Sequence, residues 1–445
     1  MKLRIWLTSL GGIMLIILLM SLAWAQTAPP MVALSHLPVH SSAAAARTGG
    51  GGGIAPYHTT RQRLSENTIG DYAPVAAYNP KRDEYLVIWS ECPSETVCNV
   101  VGCRTTGQGV PISTTFTIAA GYNDRLPAVG YNSYHGEYLV TYSRYNTTTT
   151  TSDLYGHIIL GSGALWGPEL AIDTGTSIQT LSRVAFNPIA INHGHPGEYL
   201  VVYQSGEDIV AKHVGSYGDV DASVHPLGAF PNLTTPDVVY NSARNEYLVA
   251  YAQIISNTPP IHNNDIFAQR VNAAGDPLGS HIYAAAGTLD ATSPHIAVGA
   301  DTYLIVYTLG PNNVSDAATI SGSWLTGDGN LINLTPALLA APPPNGLGWP
   351  TVGYTGQGFL VTWQSMNGVE AVNLNGRYLR LTSGFWSDVF TIDNALRDQY
   401  NGAVACTIGS CLIVDTDNWY DSGQDYEITA WNIWLQQVFL PLVLK

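Results

Sequence analysis

The stretch DTDNWYDSGQD, residues 415–425, gathers four carboxylates, Asp415, Asp417, Asp421 and Asp425. Oxygen-rich loops of this kind suit Ca²⁺, a hard cation that takes roughly six to eight oxygen ligands. The stretch lacks the Gly and the terminal Glu of an EF-hand loop, and Asp-rich loops are common without metal. Calcium is therefore the minor reading here, and no cofactor is expected. His193 and His195 in NHGHPGE form a His-x-His pair, but no third ligand can be named for them. Asp237 and His295 stand alone in apolar segments, PDVVYN and PHIAVG. They do not make a glycosidase pair, which needs two carboxylates at a set separation. No G-x-S-x-G elbow is present either, so no catalytic residue is assigned. The remaining candidates are aromatic: Tyr122, Tyr145, Trp349, Tyr400, Trp419 and Tyr420 lie among Asn and Thr. Aromatic faces beside amides and hydroxyls suit glycans or protein surfaces.

What must position these residues is a repeat. DEYLVIW (83–89), GEYLVTY (136–142), GEYLVVY (197–203) and NEYLVAY (245–251) are variants of one heptapeptide. Aligning the chain on the short apolar run ahead of it gives seven units. They begin PVAAYN (74), PAVGYN (127), RVAFNP (183), PDVVYN (236), PHIAVG (294), PTVGYT (350) and GAVACT (402). The steps are 53, 56, 53, 58, 56 and 52 residues, a period that signals a solenoid or a propeller. The heptapeptide, aromatic and β-branched, reads as a buried strand. A third run begins near an Asp, as in DLYGHII, DIVAKHV, DIFAQRV and DYEITAW. A Gly turn such as NAAGDPLG then leads to a weaker fourth run, such as SHIYAAA. No helical period persists. The expectation is an all-β chain, a seven-bladed β-propeller of four-stranded antiparallel blades. Glu84, Glu137, Glu198 and Glu246 recur at one position, as do Asp153, Asp208, Asp265 and Asp425. A catalytic acid is needed once, so these read as turn and inter-blade hydrogen-bonding devices.

The units, P-x-V-A-Y-N…E-Y-L-V-x-W…D-I-[FY]-[AG]-x-R-V…G-x-P-L-G, resemble those of secreted bacterial β-propeller repeat proteins. The resemblance covers roughly residues 57–435. It is strong in the first four units and weaker in the last three, where Tyr303, Phe359 and Cys411 stand at the heptapeptide's Tyr position. The Trp-Asp ending of WD40 repeats, the double Gly of kelch repeats and the Asp-box of sialidases are missing. The resemblance thus implies a fold and no activity.

The ends read differently. Lys2 and Arg4, the apolar run LGGIMLIILLMSLAWA and the triplet Ala23-Trp24-Ala25 make residues 1–25 a secretory signal peptide. The run is short for a membrane span, and none is expected in the mature form. Residues 26–56 form a flexible Ala/Pro/Gly-rich linker, 57–435 the propeller and 436–445 a tail containing VFLPLVLK. That tail suits a last β-strand or an export or attachment tag equally. The seventh unit ends at YEITAWNIW with no turn after it, whereas TTRQRLSENTIGDYAPV resembles a fourth-strand run. Residues near 60–69 are therefore expected to supply the seventh blade's outer strand and close the ring.

A formal charge of −15 without basic clusters argues against nucleic acid and anionic membranes as partners. The five cysteines suit disulfides in an exported chain. Cys406 and Cys411 flank TIGS and should face each other across a hairpin. One bridge is expected among Cys92, Cys98 and Cys103, where Cys92–Cys98 and Cys92–Cys103 both remain open.

The leading functional expectation is a secreted or cell-surface, monomeric binding scaffold for a glycan or a protein surface. Loops joining second to third strands, and one unit to the next, share a face, and these are the loops that vary. SRYNTTTTTSD, QIISNTPPIHNND and LGPNNVSDA form one set; AAPPPNGLGWP and AAGYNDRLP belong to the other. The alternatives are a carbohydrate-active hydrolase or lyase on the same fold, or a purely structural cell-envelope protein.

Overall fold

The structure, a computed structural model, describes residues 57–58, 61–65, 69–94, 96–146, 148–192, 195–228, 232–256, 263–311, 318–333, 337–340, 347–366, 372–381, 386–393, 399–418 and 426–435. Residues 1–25, 26–56 and 436–445, expected as signal peptide, linker and tail, lie outside these residues, as do His193, Trp419, Tyr420, Asp421 and Asp425. So do parts of most of the variable loops.

Each unit is an antiparallel meander. The first comprises Gly70–Asn79, Glu84–Ser94, Val97–Thr106 and Phe116–Ala119. The heptapeptide opens the second strand, and its residues Tyr85–Trp89 are all buried because a blade packs on each side of them. Side chains alternate across a strand. Tyr85, Val87 and Trp89 accordingly meet Leu412 and Val414 of the seventh unit, while Leu86 and Ile88 meet Tyr138, Val140 and Tyr142 of the second. A strand covered on both faces reads as a continuous apolar run, which is what EYLVIW is. The core therefore lies between blades, and the chain is an all-β propeller of four-stranded antiparallel blades.

The strands pair into six sheets: four of four strands, one of five and one of eight. The eight-stranded sheet joins the first unit's meander to the second's, Asn123–Asn132 to Leu165–Asp173, through a single parallel bridge between Cys98 and Asn123. Beside that bridge sits the Cys92–Cys98 disulfide. A second disulfide, Cys406–Cys411, links register partners of a hairpin, and Cys103 is a buried free thiol.

The five-stranded sheet is where the chain's ends meet. Tyr57–His58 and Gln62–Arg63 both pair with Tyr426–Trp434 of the seventh unit, and the Leu64 amide donates to the Ile428 carbonyl at 2.8 Å. The seam is also electrostatic. Arg61 bridges Asp393 of the sixth unit and Asp417 of the seventh, and Arg63 pairs with Glu427. Asp417 and Glu427 have no solvent exposure, so the N-terminal strand brings the cations that make their burial tolerable.

The repeated polar residues hold neighbouring blades together. The Tyr that ends an inner strand packs on the heptapeptide aromatic of the same unit: Tyr78 on Tyr85, Tyr131 on Tyr138, Tyr240 on Tyr247, with centroids 4.9–5.3 Å apart. The following Asn turns the chain and reaches outward. Asn241 Oδ1 accepts from the Ala243 amide, while its Nδ2 donates to Asp301 and Tyr303 of the next unit at 2.8 and 2.9 Å. The heptapeptide Glu binds a base on the third strand, and that base touches the next unit's turn. Arg104 joins Glu84 to the Ser162 carbonyl, and Arg270 joins Glu246 to the Asp328 carbonyl. In the third unit the base is His213, whose Nδ1 lies 3.1 Å from Glu198. The second unit has Ile158 in that register, and Glu137 keeps only Asn132. Burial pushes the Glu137 carboxyl up to about 7 against that one hydrogen bond.

Candidate functional site

Every inner strand begins with the same irregularity. Register slips between Tyr72 and Val75, Arg125 and Ala128, Thr180 and Arg183, Thr234 and Asp237, Thr292 and His295, Gly348 and Thr351, and Tyr400 and Ala403. Ala73, Leu126, Leu181, Thr235, Ser293 and Trp349 take positive φ there, between 46° and 54°, although none is glycine. Such backbone costs about 1–3 kcal/mol per residue and persists only where packing demands it. A bulge of this kind re-aims the side chains that follow it.

Two residues after each bulge residue comes the position where the units diverge. In order it holds Val75, Ala128, Arg183, Asp237, His295, Thr351 and Ala403. Four units place an aliphatic or a threonine there, and three consecutive units place functional groups. Their neighbours Val184, Val238 and Ile296 line a cavity of about 560 Å³ between the inner strands, along with Val129 and Val352. Further along, Tyr131, Phe186, Tyr240 and Tyr354 line it too. Arg183, Asp237 and His295 thus sit at one end of an aliphatic and aromatic channel.

Asp237 is the centre of the three. Its Oδ1 accepts from the Val238 amide at 3.0 Å and its Oδ2 from the Ile296 amide at 2.9 Å, which fixes the carboxylate plane. His295 Nδ1 lies 3.4 Å from Oδ2, and Arg183 Nε 3.7 Å from Oδ1. Burial works to raise the Asp237 pKa. The His295 contact, the Arg183 charge and the Ile296 amide outweigh it and hold the pKa below the ordinary value. Asp237 is therefore ionised at neutral pH. The Arg183 and His295 side chains remain 32% and 28% exposed, so both can still reach a ligand. A fixed acceptor between two donors is a hydrogen-bonding set for a hydroxyl-rich molecule.

The aromatic candidates fall elsewhere. Trp349 is the bulge residue of the sixth unit, and its side chain is mostly solvent-exposed. Tyr400 lies on the seventh inner strand, in register with Thr416. Tyr122 is exposed and stacks 4.1 Å from the Arg144 guanidinium, while the Tyr145 hydroxyl meets that of Thr180 at 2.8 Å. Arg144 itself is spent: it donates to both oxygens of Asp124 and of Glu169. Tyr122 and Tyr145 thus flank an internally satisfied cluster, and no hydrogen bond or ring contact joins them to Trp349 among the described residues. Asp415 and Asp417 lie on the strand Ser410–Asn418 with no exposure. Burial pushes Asp415 up to about 7, and Asp417 is held by Arg61.

Reading Asp237 and His295 as isolated residues missed their contact. A signal existed. Asp237 follows Arg183 by 54 residues and precedes His295 by 58, one unit each, so the ring brings them side by side.

No family model matches the chain, and no curated protein does. Among solved structures it is similar to a protein of unknown function from Dyadobacter fermentans (TM-score 0.54, 9% identity, covering 86% of this chain and 99% of that one). An ulvan lyase, described as a new family of polysaccharide lyase, is matched at TM-score 0.54 and 9% identity over 83% and 94%. The β-propeller domain of a Pyrococcus furiosus protease is matched at 0.47 and 9% over 85% and 98%. At these identities the likeness is one of fold.

Proposed function

We propose that the protein is an exported seven-bladed propeller that binds a saccharide at the Arg183–Asp237–His295 end of its channel. One observation carries this reading: three consecutive units abandon the residue that the repeat otherwise keeps aliphatic or small, and their side chains converge on one another. A symmetric scaffold needs no such break, whereas a ligand does. Reading the eight-stranded sheet as two meanders joined by one bridge supports a count of seven. Two disulfides suit an oxidising compartment. No helix among the described residues is long and apolar enough to cross a membrane. The likeness in fold to a polysaccharide lyase supports a glycan as ligand. The test is a glycan array with the purified protein and with Asp237→Ala and Arg183→Ala variants. Binding that both variants lose while keeping the parent melting temperature supports the site. Binding that both retain removes it.

A second reading is a lyase or hydrolase at the same place. His295 Nδ1 faces Asp237, an arrangement that orients an imidazole and leaves Nε2 to accept a proton. New reducing ends or an unsaturated product from any glycan bound on the array would establish turnover. Binding without product, over hours at high protein concentration, would leave a binding protein.

A further inference from the structure

The chain carries 33 acidic residues against 18 Lys and Arg, yet the channel does not share that balance. Among the described residues of the seven inner strands, seven ionisable groups besides the tyrosines occur in the half that begins each strand. Asp71 and Asp124 have no exposure, and Asp124 is neutralised by Arg144. Asp290 is 6% exposed and accepts hydrogen bonds from the Asn264 amide and side chain. Those that solvent can reach are Arg125, Arg183, Asp237 and His295. The reachable set is two guanidinium groups and an imidazole against one carboxylate. The acidic groups have been withdrawn behind the wall, and the basic ones left at its surface.

We infer that the saccharide bound at this site is anionic, carrying a carboxylate or a sulfate that Arg183 and His295 hold while Asp237 sets their positions. This deepens the glycan reading and rests on it. A guanidinium presents its donors in a planar fork that matches carboxylate and sulfate oxygens, which a neutral sugar cannot exploit as fully. Asp237 has a second effect: its charge competes with the ligand's for the same two cations. Removing that charge while keeping the shape should strengthen binding of an anion and weaken binding of a neutral sugar that donates hydroxyls to the carboxylate.

The experiment is calorimetric titration of the intact protein with oligogalacturonate, oligoalginate and chondroitin sulfate, against methyl-esterified oligogalacturonate and maltohexaose. The expected result is binding of at least one charged probe about tenfold tighter than of the neutral ones. Arg183→Gln and His295→Gln should each weaken it at unchanged melting temperature, Asp237→Asn should tighten it in the protein that remains folded, and added salt should weaken it. Equal or tighter binding of the neutral probes, or loss of binding in Asp237→Asn with Arg183→Gln unaffected, overturns the anionic assignment and leaves the glycan reading standing. Binding of none of the five probes overturns both.

Discussion

The two ends of each inner strand obey different rules. Where the strand ends, the first four units copy one another: an aromatic packs on the heptapeptide aromatic, and an Asn makes the turn and reaches the next blade. Where it begins, the bulge is copied but the residue beyond it is not. The contrast follows from what each end touches. The closing end meets a neighbouring blade that is itself a near copy, so one solution serves the seams of the first four units. The opening end meets the channel, where no copy faces it. Recurrence therefore marks packing, and departure from recurrence marks the candidate site.

The largest effect should come from breaking the copied end. Tyr247 is fully buried against Tyr240 and the third unit's Leu200 and Val202, so Tyr247→Ala should cost about 4 kcal/mol. Urea unfolding measures it, and a loss below about 1 kcal/mol would mean that the repeat is not what holds the seams. Glycan binding, extrapolated to the folded fraction, should not change.

Next comes the heptapeptide Glu whose unit places Ile158, not a base, in the third-strand register. The folded Glu137 carboxyl is raised from 4.5 to about 7 by burial, so the folded state holds its proton more tightly than the unfolded chain. That contribution is fully present below about pH 4.5 and is lost as pH rises through 7, on the order of 3 kcal/mol at most. Asp415, raised to about 7 for the same reason, acts in the same direction. Glu137→Gln should flatten the stability profile between pH 4.5 and 7, leaving the Asp415 part. A profile with unchanged slope would show that Glu137 finds another partner.

A smaller loss, about 1–2 kcal/mol, is expected for Asn241→Ala, which removes the donor to the Tyr303 hydroxyl and one of the donors to Asp301 at the seam between fourth and fifth units. The smallest effect is the sharpest test of the comparison. Arg183→Ala and His295→Ala should each change stability by less than about 1 kcal/mol, because both side chains are partly solvated and an aliphatic or a threonine serves the other four units. A loss as large as that of Asn241→Ala would place these residues among the packing devices instead.

How much was legible beforehand follows the same division. The strands, their order and the blade meander could be read from EYLVIW and its copies, since a strand buried on both faces must be apolar throughout and seven spaced copies cannot each bury both faces alone. The pairing of N-terminal residues with the last unit, found at 57–58 and 62–63 where 60–69 was expected, was legible from the missing turn after NIW, and the Cys406–Cys411 pairing from its hairpin spacing. The aromatic patch expected around Trp349, Tyr400, Trp419 and Tyr420 is a different matter: Trp419 and Tyr420 lie outside the described residues, and loop residues carry no period that would place them.

What the sequence by itself determined is the unit: its strands, its turns and the residues that recur because every seam has the same shape. Only the tertiary structure decided which residues meet across units. Arg61 with Asp417, 356 positions apart, and Arg183 with Asp237 and His295 are joined by ring closure and a shared bulge, not by any local pattern. Strand periodicity records which face a side chain takes. It does not record which side chain of another blade awaits it there, and in a closed ring of blades that second fact places the chemistry.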